Sequence, residues 1–186
     1  MAKTYESILP AHEAFITRQR VFFVGSAPLS EEGNVNISPK GYDSFRILST
    51  NEVAYLDLTG SGNETSAHIT ENGRMTIMFM AFEGAPMILR LYGRAEVILP
   101  NTSEWHELAP HFDMLPGARQ IIRAKIDTVK TSCGFSIPFY TYEGERDTLV
   151  QWTNNKSDEE IKAYRKKKNT HSMDGILTPI GKQVQK

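Results

Sequence analysis

The sequence predicts a mainly β fold with peripheral helices, and three stretches predict it. Asn34 to Ser38 alternates strictly, with Val35 and Ile37 on one side and Asn34, Asn36 and Ser38 on the other. Met87 to Leu99 alternates over a longer span, setting Leu89, Leu91, Ala95 and Val97 against Arg90, Tyr92, Arg94 and Glu96. Arg74 to Phe82 is a nearly unbroken apolar run rich in Met and Phe, the composition of a strand in the middle of a closed barrel.

The elements follow in chain order. A short amphipathic helix starts near Pro10, where proline suits the first helical position, and carries Ala11, Phe15 and Ile16 on one face as a lid over a sheet. Val21 to Ser26 is the first strong strand, and Pro28 with Glu31-Glu-Gly33 turns the chain. After Asn34 to Ser38, Pro39 is expected to end the ladder and Gly41 to allow an unusual backbone angle, before a loop holding Tyr42 to Arg46. Val53 to Asp57 forms the central strand. The loop Thr59-Gly-Ser-Gly62 then leads into a helix over Glu64 to Glu71, with Asn63 the N-cap and Asn72-Gly73 the C-cap.

Beyond the strand ending at Leu99, Thr102 to Leu108 and Pro116 to Arg123 read as helical segments, and Ala124 to Phe135 as strand. Pro138 to Tyr142 is expected to extend the sheet or to run along it, and Glu143-Gly-Glu145 to mark the boundary of the barrel. Ser157-Asp-Glu-Glu160 matches a capping box for a helix ending in Arg165-Lys-Lys-Lys168, where cations suit the helix dipole. The polar tail after Asn169 is expected to be flexible unless a partner holds it. The domain division is 1–150 for the barrel and 151–186 for a C-terminal helix and tail packing on it or on a partner subunit.

Composition narrows the function classes. A chain of 186 residues with formal net charge -1 can bury one substantial core, and its dispersed basic residues give little support to a nucleic-acid surface. Its apolar runs are too short to cross a bilayer and its start lacks a signal-peptide pattern, so a cytoplasmic location is expected. Cys133 is the single cysteine, read as a small buried side chain; no Cys or His grouping has zinc spacing, and no metal is expected. His12 and His68 read as structural or solvated residues on helical faces.

Two stretches carry candidate chemistry. The glycine loop running into a helix start has the layout of an anion site: close backbone approach, a positive helix end and nearby hydroxyls. The same residues also suit an ordinary surface loop and capped helix. The polar side of Asn34 to Ser38 runs into Pro39-Lys40-Gly41 and could hold a phosphate and the edge of a planar ring; it equally suits an exposed strand face with a turn lysine. No acid–base pair stands out as catalytic.

The order of elements resembles the pyridoxamine 5'-phosphate oxidase-like FMN-binding split-barrel superfamily, in an oxidase-related bacterial branch. The residues that carry the resemblance are Val35-Asn-Ile-Ser-Pro-Lys-Gly41, Tyr55-Leu-Asp-Leu-Thr-Gly-Ser-Gly-Asn-Glu-Thr65, His68-Ile-Thr-Glu-Asn-Gly-Arg74, Leu91-Tyr-Gly-Arg-Ala95, Ser132-Cys-Gly-Phe-Ser136 and Ser172-Met-Asp-Gly175. It implies a six-stranded antiparallel split β-barrel, paired as a homodimer with FMN in clefts at the subunit interface. It also implies that Val35, Asn36, Ile37, Ser38, Pro39, Lys40 and Gly41 run beside the flavin, with Asn36, Ser38 and Lys40 the first candidates for direct contact. Leu56 and Asp57 match contacts to the ring and ribityl chain, and Asn63, Glu64 and Thr65 match the phosphate loop.

The sequence departs from the oxidase at that loop. Glu64 and Thr65 stand where the oxidase has arginine and lysine, so a phosphate would rely on Lys40, backbone amides and hydroxyls, with Arg46 or a partner-chain arginine as further candidates. The oxidase's C-terminal arginine motif for substrate phosphate is not evident either. The implied function is an FMN-dependent oxidoreductase acting on an unidentified small molecule. The alternatives are a flavin carrier without turnover, or a deazaflavin- or haem-binding relative of the same barrel.

Overall fold

The computed structural model describes residues 2–185. Eight strands run in chain order: β1 (Lys3–Tyr5), β2 (Phe22–Ser26), β3 (Asn36–Lys40), β4 (Phe45–Ser49), β5 (Glu52–Leu58), β6 (Arg74–Met80), β7 (Ile88–Ile98) and β8 (Ala118–Ser132). Six α-helices flank them: α1 (Pro10–Ile16), α2 (Glu64–Asn72), α3 (Ser103–Leu108), α4 (Thr148–Asn154), α5 (Asp158–Lys168) and α6 (Pro179–Val184). The strands pair antiparallel in the order β3-β2-β6-β7-β8-β5-β4, with β1 beside β8. The terminal strands β3 and β4 are not bonded to one another, so the sheet is rolled but open, as a split barrel is.

Alternation places the core. Phe22 and Val24 of β2, Val53 and Tyr55 of β5, Ile77 and Phe79 of β6, Leu89 and Leu91 of β7, and Ile122 and Ala124 of β8 fill one interior cluster. Phe45 of β4 lies 5.1 Å, ring to ring, from both Phe22 and Phe79, so side chains from near the two ends of the sheet meet across the interior. The opposite sides of β5 and β8 contribute Ala54, Leu56 and Ile121 to a second cluster, which Leu108 of α3 and the following Phe112 cover. Helix α1 buries His12, Phe15 and Ile16 as a lid.

Several expectations are corrected. Strands β1 and β4 had no counterpart in the sequence reading and raise the count from six to eight. Pro39 does not end a ladder but pairs with Phe23 inside β3; an edge strand tolerates a residue with no N–H to give. The unusual backbone angle belongs to Tyr42, at φ 59, and not to Gly41. The segment read as a helix over 116–123 is the start of β8, where residues 119–122 are all buried, a pattern that suits a strand covered on both faces.

Residues 138–142 add no strand, Cys133 is exposed, and α4 stands where nothing regular was expected. His12 and His68 are buried, His68 sharing a 3.0 Å hydrogen bond through Nδ1 with Ser26 Oγ. The tail is also ordered. Thr178 Oγ1 donates to the carbonyl of Asn169 at 2.6 Å and accepts from the N–H of Gly181, starting α6.

Candidate functional site

The site assembles where β3, the end of β5, the start of β8 and the N-terminus of α2 meet. Asp57 has the same parity on β5 as Val53 and Tyr55, so its carboxylate points inward at the barrel end and is 3% exposed. The β5–β8 register shifts between Asp57 and Leu58: Asp57 pairs with Gln120, Leu58 with Ala118, and Arg119 is the extra residue. A bulge of this kind re-aims side chains, and here two consecutive residues turn to one carboxylate. Arg119 Nε and Gln120 Nε2 each donate to Asp57 Oδ2 at 2.8 Å, and Lys40 Nζ donates to Oδ1 at 2.9 Å from β3. Burial alone would raise the pKa of Asp57, but the charges and hydrogen bonds of Arg119 and Lys40 outweigh it and hold the carboxyl well below the usual carboxylate range.

The network extends into the glycine loop and the tail. Gln120 Nε2 also donates to Asn63 Oδ1 at 2.9 Å, and Arg119 Nη1 donates to the carbonyl of Gly62 at 2.8 Å. Asn63 therefore occupies the N-cap position without capping α2 through its side chain. Asn169, fully buried, donates from Nδ2 to the carbonyl of Gly60 at 2.9 Å. Arg165 of α5 donates to Thr59 Oγ1 and to the carbonyls of Gly117 and Ala118, fixing the C-terminal helix across the loop.

The expected site residues divide into three groups. Asn36, Ser38 and Lys40 form a half-buried inward ribbon on β3, and Asn36 Nδ2 donates to Thr65 Oγ1 at 3.0 Å. Lys40, Asp57 and Asn63 converge on the network just described, while Thr65 meets only Asn36 of the ribbon. Val35 and Ile37 face outward at 72% and 70% exposure, as does Pro39, Gly41 starts the following turn, and Leu56 packs into the outer cluster under α3. Arg46, a phosphate candidate by sequence, is held by Asp43 and by the carbonyl of His111.

Arg119, Gln120, Arg165 and Asn169 escaped the sequence reading. The alternation of Gln120, Ile122, Ala124 and Ile126 was the signal that could have found the first two, by marking this stretch as strand. A cleft of about 1460 Å³ opens past the Lys40 turn, between Gly41, Tyr42, Phe82, Tyr142, Arg146 and Trp152. Arg20 lies 5.1 Å over the Tyr142 ring at its wall.

A family model described as pyridoxamine 5'-phosphate oxidase matches residues 8–133. The chain is 35% identical over 191 residues to the pyridoxamine 5'-phosphate oxidase family protein ustO of Aspergillus flavus, covering 92% of this chain and 76% of that one. This chain belongs to the pyridoxamine 5'-phosphate oxidase family. Solved structures with the same fold include the H111A variant of HupZ from Group A Streptococcus, at TM-score 0.55 and 19% identity over 67% of this chain and 99% of that one. A Lactobacillus delbrueckii protein provisionally named a pyridoxamine 5'-phosphate oxidase gives TM-score 0.51 and 16% identity over 67% of this chain and 94% of that one.

The family raises the question of FMN, and the two ends of that molecule meet different surroundings in this family member. The inward ribbon of β3 offers an amide, a hydroxyl and an ammonium group at half-buried positions, which suits the polar edge of a flavin ring. The phosphate end does not fit. At the start of α2, Glu64 presents a carboxylate whose Oε2 accepts from the N–H of Met173 at 2.9 Å. The buried Asn169 Oδ1, beside the loop, is an acceptor with no partner among the described residues, and the carbonyls of Gly60 and Gly62 already engage side-chain donors.

Proposed function

We propose that this family member is a flavin-binding oxidoreductase acting on a small molecule, working in the cytoplasm as a homodimer with the flavin between subunits. The observation that carries the reading is the ribbon of Asn36, Ser38 and Lys40, turned inward on an open edge strand and backed by the buried Asp57–Arg119–Gln120 network. Such backing keeps Lys40 oriented, and a locked supporting shell is what a ring-binding strip needs. Redox chemistry would come from the flavin ring; the chain's part is to position it and shield it. The adjoining cleft, with Tyr42, Tyr142 and Trp152 near Arg20 and Arg146, suits a flat molecule bearing negative charge.

A dimer is supported by apolar surface that a monomer leaves in water. Val35 and Ile37 flank the open edge, and Phe135 and Phe139 are 83% and 79% exposed on the segment after β8.

The test is an absorption spectrum of the native protein, and of the protein after addition of flavin, followed by reduction with a reduced nicotinamide. A bound flavin that is reduced and then reoxidised with turnover of a supplied acceptor supports the oxidoreductase. A bound flavin that never turns over makes the chain a carrier, and a protein that binds no flavin refutes the reading.

A further inference from the structure

We propose that this chain recognises the flavin by its ring and ribityl chain and discriminates against the terminal phosphate, through Glu64 and Asp174. The inference rests on the flavin reading above and concerns which flavin the site takes.

The N-terminus of the nine-residue helix α2 faces its own tail. Glu64, in the first turn, binds the backbone N–H of Met173. The next residue, Asp174, accepts from the N–H of Asn34 at 2.9 Å and from Asn34 Nδ2 at 2.6 Å, at the chain entry to the β3 ribbon. These hydrogen bonds from Asn34 also hold the Asp174 carboxyl below its ordinary value, so it remains ionised at neutral pH. One carboxylate, Glu64, thus stands where the partial charge of the helix start would otherwise attract an anion, and a second, Asp174, follows Met173 at the entry to the ribbon.

The cations nearby are turned elsewhere. Lys40 and Arg119 share Asp57, and Arg165 is bonded to Thr59 and to two backbone carbonyls. A phosphate dianion at this end would meet like charge and acceptors, whereas the uncharged end of a ribityl chain would meet neither penalty.

Equilibrium titrations of the full chain with riboflavin and with FMN test this, followed by fluorescence quenching. In the native protein riboflavin binds at least as tightly as FMN, and raising the salt concentration strengthens FMN binding alone, because screening weakens the repulsion. The double variant Glu64→Gln with Asp174→Asn keeps one acceptor oxygen for the Met173 N–H and one for one of the two Asn34 donors, at exposed positions, so it folds; it tightens FMN by about tenfold and leaves riboflavin unchanged. FMN binding tenfold tighter than riboflavin in the native protein would overturn the inference and leave the flavin reading intact. An unchanged ratio in the double variant would remove Glu64 and Asp174 as the discriminating groups. Failure of both flavins with both proteins would end the inference and the flavin reading together.

Discussion

Asp57 is the residue on which the candidate site depends, because one buried carboxylate holds two cations from different strands. Breaking a buried pair by removing one partner is far more damaging than its net worth suggests, since the remaining charges stay buried. Asp57→Asn should therefore destabilise the protein by about 3 kcal/mol, read from the shift of its chemical denaturation curve. The pH dependence has a definite sign. The folded carboxyl titrates lower than the unfolded one, so its contribution is fully present above the unfolded value of about 3.9. It is lost as pH falls from there through the folded value. The gap in stability between the native protein and Asp57→Asn should stay constant from about pH 8 to 5 and close below about pH 4; a gap that closes already near neutrality would show that the ion pairs are not what Asp57 provides.

At the scale of elements, two irregularities shape the sheet. The bulge opposite Leu58 lets Arg119 and Gln120 face the same carboxylate, and a second register shift between Tyr92 and Gly93 brings the β8 backbone hard against Gly93. A Cβ at Gly93 would sit 1.9 Å from the carbonyl oxygen of Lys125, a backbone atom that cannot swing aside. Gly93→Ala should lower stability by about 3 kcal/mol, and a melting temperature equal to the native one would mean that β7 and β8 can separate freely there. The tail is held by a different device. Asn169, buried between the Gly60 loop and the turn into α6, ties residues 170–178 to the barrel. Asn169→Ala should speed backbone amide exchange in that stretch while leaving β6–β8 protected; uniform protection would assign the tail's order to α6 alone.

For the whole molecule, the open edge and the apolar surface beside it bear on assembly. An edge strand with outward Val35 and Ile37 is a site for association that a solitary protein would normally blunt with charge. Sedimentation should show a dimer, and Ile37→Asp with Phe139→Asp should shift it to monomer without altering the β-rich circular dichroism. A native monomer at micromolar concentration would remove the proposed dimer and, with it, a flavin site completed between subunits.

Much of this protein was readable before any fold was in hand. Period-two alternation in β3 and β7, the apolar run of β6, the Gly73 C-cap and the Ser157 capping box are local patterns, set by backbone geometry and nearest neighbours, and they placed these three strands and helices α2 and α5, while the family came from the resemblance of longer motifs. The site was legible only in part. Lys40, Asp57, Asn63 and Thr65 were marked from motif alone, whereas Arg119, Gln120, Arg165 and Asn169 reach Asp57 or the glycine loop from 57 to 109 residues away in sequence. What only the tertiary structure decided is which groups meet: a strand bulge turned Arg119 and Gln120 to Asp57, and the returning tail set Met173 against Glu64 at the helix start and Asp174 against Asn34. No linear pattern encodes those meetings, because they depend on register and on the return path of the chain.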